Sequence, residues 1–236
     1  MAEPRPISRR VQDEAAFVLQ TWPWKETSLL VELLTLHHGK VVVVARGAKR
    51  PGSQFRGLLS SFIPLKVSYH GQNEVKTLSK VQWLGGFLPI EGEALFAGFY
   101  LNELLVRLLP REDAMSTLFA SYVQALKALA GDRSIHEKAL RVFEAELLED
   151  LGYGLPHEMK TWVWDAGEMH PYDDAVLYGE KAIRVEPAML SKLKQKDFSE
   201  VATLSFAKKL YRSMIAHYAG DKPLNTRRIM QELRRL

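Results

Sequence analysis

Val41-Val42-Val43-Val44-Ala45 runs without a break into Arg46-Gly47-Ala48-Lys49-Arg50-Pro51-Gly52-Ser53-Gln54-Phe55-Arg56-Gly57. A run of β-branched residues predicts a strand buried on both faces. The glycine- and proline-punctuated segment after it predicts a flexible loop. That loop carries Arg46, Lys49, Arg50 and Arg56 and no acidic residue. Mobile positive charge at a sheet edge suits a polyanion gripped without sequence readout. The plainer reading is a solvated basic loop, so the charge elsewhere has to be weighed.

Working outward, strand signals continue on both sides. Ala16-Phe17-Val18-Leu19 opens a strand, and Ser28 to Leu36 is an apolar run broken only by Glu32. Gly39, after His37-His38, reads as the hairpin turn into the valine strand. Phe62 to Tyr69 alternates, Gly71-Gln72-Asn73 turns the chain, and Glu74 to Leu78 returns it. Pro64 belongs at an edge or a strand start. Five short strands joined by turns and one long basic loop predict a small closed barrel of the OB type over residues 1–85.

After Gly85-Gly86 the periodicity becomes helical. Glu93 to Leu109 and Ala114 to Ala130 predict two helices. A third is predicted up to Leu151, with Ser134 and Glu137 at capping-box spacing. Leu155 to about Glu186 reads as irregular and contains Trp162 and Trp164; helices resume over Glu200 to Ala219 and Thr226 to Arg235. The fold class is therefore α+β: an N-terminal OB-fold barrel, then an all-helical domain over 86–236 with an irregular insertion at about 155–186.

Charge follows the same division. Residues 1–85 carry 12 Lys+Arg against 6 Asp+Glu, a net +6. Residues 86–220 carry 15 against 20, or −5, and residues 221–236 five against two, or +3. Positive potential gathered at both ends points to a polyanionic partner more clearly than the total of +4. The chain has no cysteine, which excludes disulfides and thiolate zinc sites and fits a reducing cytoplasm. Met1 to Glu14 lacks the apolar core of a secretory signal, and no run reaches the roughly 18 apolar residues of a membrane span.

Catalytic patterns are missing. The sequence contains no GxGxxG, phosphate-loop, GxSxG or HExxH motif, and its seven histidines have no ligand spacing. Glu26, Glu32 and Glu74 are isolated, so a magnesium-dependent nuclease lacks its carboxylate cluster. The expectation is a binding protein, not an enzyme, with no cofactor. Trp22, Trp24, Phe55, Phe62 and Tyr69 are candidate stacking rings beside the basic loop, and Trp22-Pro23-Trp24 reads equally well as a core edge. An OB-fold RNA-binding protein with a helical scaffold satisfies the same composition.

Several blocks together separate these readings. Trp22-Pro23-Trp24-Lys25-Glu26-Thr27-Ser28-Leu29-Leu30, His38-Gly39-Lys40-Val41 through Lys49, and Gly57-Leu58-Leu59 resemble the N-terminal half of the RecO family of recombination mediators. Tyr100 to Leu105, Leu140 to Glu144, Leu151-Gly152-Tyr153-Gly154 and Gly220 to Arg227 continue the resemblance in the family's order over nearly the whole chain. It implies a cytoplasmic, nucleoid-associated DNA repair and recombination protein that binds single- and double-stranded DNA and anneals complementary strands. It also implies help in loading RecA onto DNA coated with single-strand binding protein, with RecR and the acidic C-terminal tail of that binding protein as partners.

On this resemblance Arg46, Lys49, Arg50, Arg56, Lys222, Arg227 and Arg228 are DNA-binding candidates, while Arg141 and Phe143 would hold the tail. The other reading of Arg141 is an ion pair with Glu137 or Glu144 on its own helix. Asn225 stands where the family often has lysine. Many family members also carry a four-cysteine zinc site after the Gly-Tyr-Gly segment; Met159 to Glu168 has none, and packing by Trp162 and Trp164 is expected in its place.

Overall fold

The computed structural model describes residues 10–86, 88–220 and 222–233; the side chains of residues 227, 230, 231 and 233 are outside that description. The chain divides into two compact units, one ending at Ala120 and the other beginning at Ser121.

In the first unit β1 (Arg10–Trp24), β2 (Ser28–Thr35), β3 (Gly39–Ala45), β4 (Leu65–His70) and β5 (Val75–Trp83) close into a barrel in the order β1-β2-β3-β5-β4. Only β3 and β5 run parallel. β1 is much longer than its apolar core suggests, because it serves two neighbours: Arg10 to Ala16 pair with β4, and Ala16 to Trp24 pair with β2. Register shifts at Val11/Glu14 and Val18/Gln20 bend it around the corner. Pro64 sits just before β4, as its missing N–H requires.

Alternate residues of the strands fill the barrel, among them Val18, Val31, Leu33, Val41, Val43 and Val67. The outer face of β2 is buried as well, as is that of β1 at Phe17 and Leu19, which is why Ser28 to Thr35 shows no polar alternation. Helix α1 (Ala94–Leu108) accounts for part of this: Asn102 Nδ2 donates to the Leu19 carbonyl at 2.7 Å, and Lys40 Nζ to that of Val106. Phe119 meets Phe17 with ring centroids 5.7 Å apart. Burial holds the Lys40 ammonium below its ordinary pKa, with Glu32 opposing the shift. Gly39 has φ +63°, and a Cβ there would lie 1.9 Å from the Asp113 carbonyl oxygen, so both backbone sign and space demand glycine.

α2 (Ser116–Leu129) spans the division between the units. The second unit continues through a 3-10 turn (Arg133–Ile135), α3 (His136–Asp150), β6 (Trp162–Asp165), β7 (Glu168–Pro171), β8 (Ile183–Val185), α4 (Pro187–Lys194), α5 (Val201–Tyr218) and α6 (Asn225–Leu233). The region expected to be irregular holds an antiparallel three-stranded sheet, ordered β7-β6-β8, and α4 follows it directly. The two-residue turn Ala166-Gly167, both at positive φ, makes the tight hairpin. The expected capping box is not formed. Asp132 instead accepts the Ser134 N–H at 2.8 Å, and Glu137 pairs with Lys208 on α5. The expected extension of the last helix to Arg235 lies outside the described residues.

Where the family often has zinc, the donor chemistry here does not suit it. Trp164 is buried, its Nε1 donates to Ser213 Oγ at 2.9 Å, and its ring meets His217 edge-on, tying the small sheet to α5. Trp162 is half-buried and donates to the Glu158 carbonyl.

Candidate nucleic-acid interface

The segment after β3 is a succession of turns. Backbone N–H groups of Arg50, Ser53, Arg56 and Leu58 each donate three residues back, to Gly47, Arg50, Ser53 and Phe55, at 3.0–3.2 Å. Ala48 and Phe55, each 6% exposed, plug into the barrel core. Lys49 N–H donates to the Thr27 carbonyl at 2.9 Å, and Gly47 N–H to Ser28 Oγ at 3.3 Å, so the β1–β2 turn braces the start of the loop. Gln54 Nε2 reaches the Ser79 carbonyl on β5 at 3.4 Å. The segment expected to be flexible is thus pinned at several points.

Arg46, Lys49, Arg50 and Arg56 are all exposed. Among the described residues none of the four has a carboxylate within ion-pair distance; Arg56 Nη1 donates only to the Pro51 carbonyl, at 3.3 Å. Cations whose charge no neighbour neutralises can exchange counterions for phosphates.

The candidate rings fare differently. Phe55 and Tyr69 belong to the barrel interior and offer no face to a base. Phe62 packs against Phe99, with centroids 5.0 Å apart, and its ring fills the space beside Gly98. Trp22 is half-buried, leaving Trp24, 45% exposed, as the accessible ring of the five. Lys25, also exposed, stands beside it in the turn that braces the loop. Lys25 was not among the cations expected from the sequence at this end of the barrel. The hydrogen bonds of Lys49 N–H to the Thr27 carbonyl and of Gly47 N–H to Ser28 Oγ are what bring its turn to the loop.

In the second unit Lys222 and Arg228 are exposed, and Arg228 Nη1 lies 3.5 Å from Glu232 Oε1, one helical turn away. The Arg227 side chain, also a DNA-binding candidate, lies outside the described residues.

Arg141 and Phe143 do not form an accessible rim. Arg141 is 5% exposed, its Nη2 donates to Glu144 Oε1 at 2.6 Å, and its Nε is buried without a hydrogen-bond partner. Phe143 is fully enclosed, meeting Tyr122 edge-on. Residues three apart share a helix face, and on α3 that face is the buried one. In this conformation an incoming peptide meets neither side chain.

An open cleft of about 600 Å³ in this unit is lined by Trp164, Asp165, Ser213 and His217 among others. Its polar groups are engaged locally: Asp165 accepts the Gly179 N–H and Ser213 accepts from Trp164. Among the described residues no three His, Cys, Asp or Glu side chains converge as metal ligands, and no helix is long and apolar enough to cross a membrane.

Comparison with known proteins matches these two parts in order. Residues 10–87 match the family model described as recombination protein O N terminal, and residues 91–158 that described as recombination protein O C terminal. The first match ends close to the end of the barrel, whereas the compact unit runs on through α1. DNA repair protein RecO of Dechloromonas aromatica is 43% identical over 240 residues, covering 98% of this chain and 99% of the relative. The RecO proteins of Azoarcus sp. BH72 and Nitrosospira multiformis are 40% and 39% identical, covering 96% and 97% of this chain and 98% of each relative. With a closed five-stranded barrel followed in the chain by a helical region, and identity sustained from end to end, the chain belongs to the RecO family of DNA repair proteins.

Proposed function

We propose that this protein is a recombination mediator that binds single- and double-stranded DNA through its barrel and anneals complementary strands. In this reading it helps RecA load onto DNA covered by single-strand binding protein, acting with RecR in the cytoplasm at the nucleoid. Family membership supports the reading, and one observation carries it: Arg46, Lys49, Arg50 and Arg56 stand exposed on a pinned loop, with no carboxylate at ion-pair distance among the described residues. Such a surface neutralises phosphates of any sequence, as annealing of arbitrary strands requires. Lys222, Arg227 and Arg228 supply a second basic set in the other unit. Docking of the acidic tail of the single-strand binding protein is assigned to the helical unit, where Arg141 becomes a contact only once Glu144 has released it.

The test is the salt dependence of binding. Replacing Lys49, Arg50 and Arg56 together with glutamate is expected to reduce the slope of log affinity against log salt for single strands by roughly two, at about 0.7 per phosphate contact. An unchanged slope removes the loop from the interface. Adding RNA of equal length as competitor, and scoring annealing in parallel, separates a DNA-annealing protein from an RNA binder.

A further inference from the structure

The register of the barrel sets Trp24 beside the basic loop on one outer surface. Cross-strand partners share a face. Val18 with Leu33 points into the barrel; past the register shift, Gln20 with Glu32, Trp22 with Leu30, and Trp24 with Ser28 point out. On β3 the buried Ala45 pairs with Leu29 and ends the strand, and the exposed Arg46 follows it as the first residue of the turn. Ser28 Oγ accepts the N–H of Gly47, which ties this corner together. Trp24 thus pairs with Ser28, and Ser28 in turn holds the residue that follows Arg46.

The backbone of Trp24 is held there while its side chain stays accessible. Trp24 is 45% exposed although it ends a strand with a partner at every position from Gln20 on. Pro23 precedes it and fixes its own φ, and Lys25 follows at φ +52°, which turns the chain sharply away. A large apolar ring carried at a hairpin end, next to Lys25 and joined through Ser28 to the turn that begins with Arg46, has the chemistry of a base-stacking platform beside phosphate-binding cations.

We propose that Trp24 stacks on an unpaired base and makes this surface prefer single-stranded DNA over duplex. The inference rests on the reading of the basic loop as the DNA contact and adds the substrate form that the contact selects. Phosphates are available in both forms, so the cations alone discriminate little. Bases in a duplex are already stacked and present no free face, so Trp24 contributes only to the single strand. Pairing of two strands then withdraws the base from the indole, and the annealed product is held less tightly than the strands that formed it.

The experiment compares wild type, Trp24→Ala and Trp24→Phe on oligothymidine, on a blunt duplex of equal length and on an abasic single strand, at one low salt concentration. Trp24→Ala is expected to bind oligothymidine about tenfold more weakly, in the range found for loss of one base–aromatic stack, with duplex affinity and salt slope unchanged. Trp24→Phe should retain most of the affinity, and the abasic strand should bind wild type and Trp24→Ala alike. Undiminished binding of oligothymidine by Trp24→Ala overturns the proposal, as does an equal loss on duplex. Failure of the loop reading would show instead in the triple charge reversal, as an unaltered salt slope, and so is distinguishable. Because Trp24 is exposed at a strand end, all variants are expected to melt like wild type, and the phenylalanine variant reports on stacking with the ring kept in place.

Discussion

The basic loop of the barrel and the Arg141 region of α3 look alike in sequence, each setting arginine within two residues of phenylalanine, yet the structure uses them in opposite ways. In the loop Phe55 goes inside and Arg56 stays out, because no acidic residue lies within reach and the turns separate the two side chains. On α3 both Arg141 and Phe143 go inside, because Glu144 lies one turn on and accompanies the guanidinium into the interior. An arginine is available to a ligand when the local chain offers it no carboxylate. Composition within a window of four residues separates the two cases better than the arginine–aromatic pairing does.

The largest expected effect breaks the buried half of this comparison. Arg141→Ala removes the guanidinium from an enclosed carboxylate and should destabilise the second unit by about 3–5 kcal/mol, the range for removing one partner of a buried ion pair. Replacing both groups by apolar residues of similar volume, Arg141→Met with Glu144→Leu, should recover most of that loss. Chemical denaturation of the two variants provides the measurement. A stable Arg141→Ala protein that loses only tail-peptide binding would show instead that the arginine is a ligand contact.

Next in size is the contrast between two neighbours in the loop. Phe55→Ala empties part of the barrel core and should cost about 3 kcal/mol or more, while Arg56→Ala, on an exposed side chain, should stay within about 0.5 kcal/mol. The binding effects should be reversed in character: Arg56→Ala lowers the salt slope, whereas Phe55→Ala weakens binding by releasing the loop. Equal melting temperatures for the two variants would mean that Phe55 does not anchor the loop.

The same contrast explains what could be read in advance. β2, β3 and the Gly39 hairpin were legible because a central strand buried on both faces leaves an unbroken apolar run. The first part of β1 was not: Arg10 to Ala15 is mostly polar, and its pairing with β4 is set by partners more than fifty residues away. Strands of three or four residues such as β8 and β6 are too short for a period to show, which hid the small sheet. In the candidate surface the cations were legible from the lack of acidic neighbours. Which aromatic ring is accessible was not, since it depends on the side of the barrel wall each faces, which a one-residue register shift exchanges, and on the position of Trp24 at a strand end.

The smallest expected effect concerns an ion pair that is neither free like the loop nor enclosed like Arg141. Glu137, at the start of α3, pairs with Lys208 on α5, and the hydrogen bond from that ammonium holds its carboxyl below the ordinary value of 4.5. A carboxyl with a lowered folded-state pKa adds stability that is fully present above the unfolded value and is lost as pH falls through the folded one. The second unit should therefore lose a small increment of stability below about pH 4.5. Both side chains are about half exposed, so solvent screening keeps the pair within the range of surface ion pairs, under about 1 kcal/mol. Thermal melts at pH 7 and pH 3.5 provide the check: Glu137→Gln should be slightly less stable than wild type at the higher pH and closer to it at the lower. A difference that persists unchanged at pH 3.5 would assign the effect to packing of the glutamate stem, leaving the buried Arg141–Glu144 pair as the electrostatic link within α3.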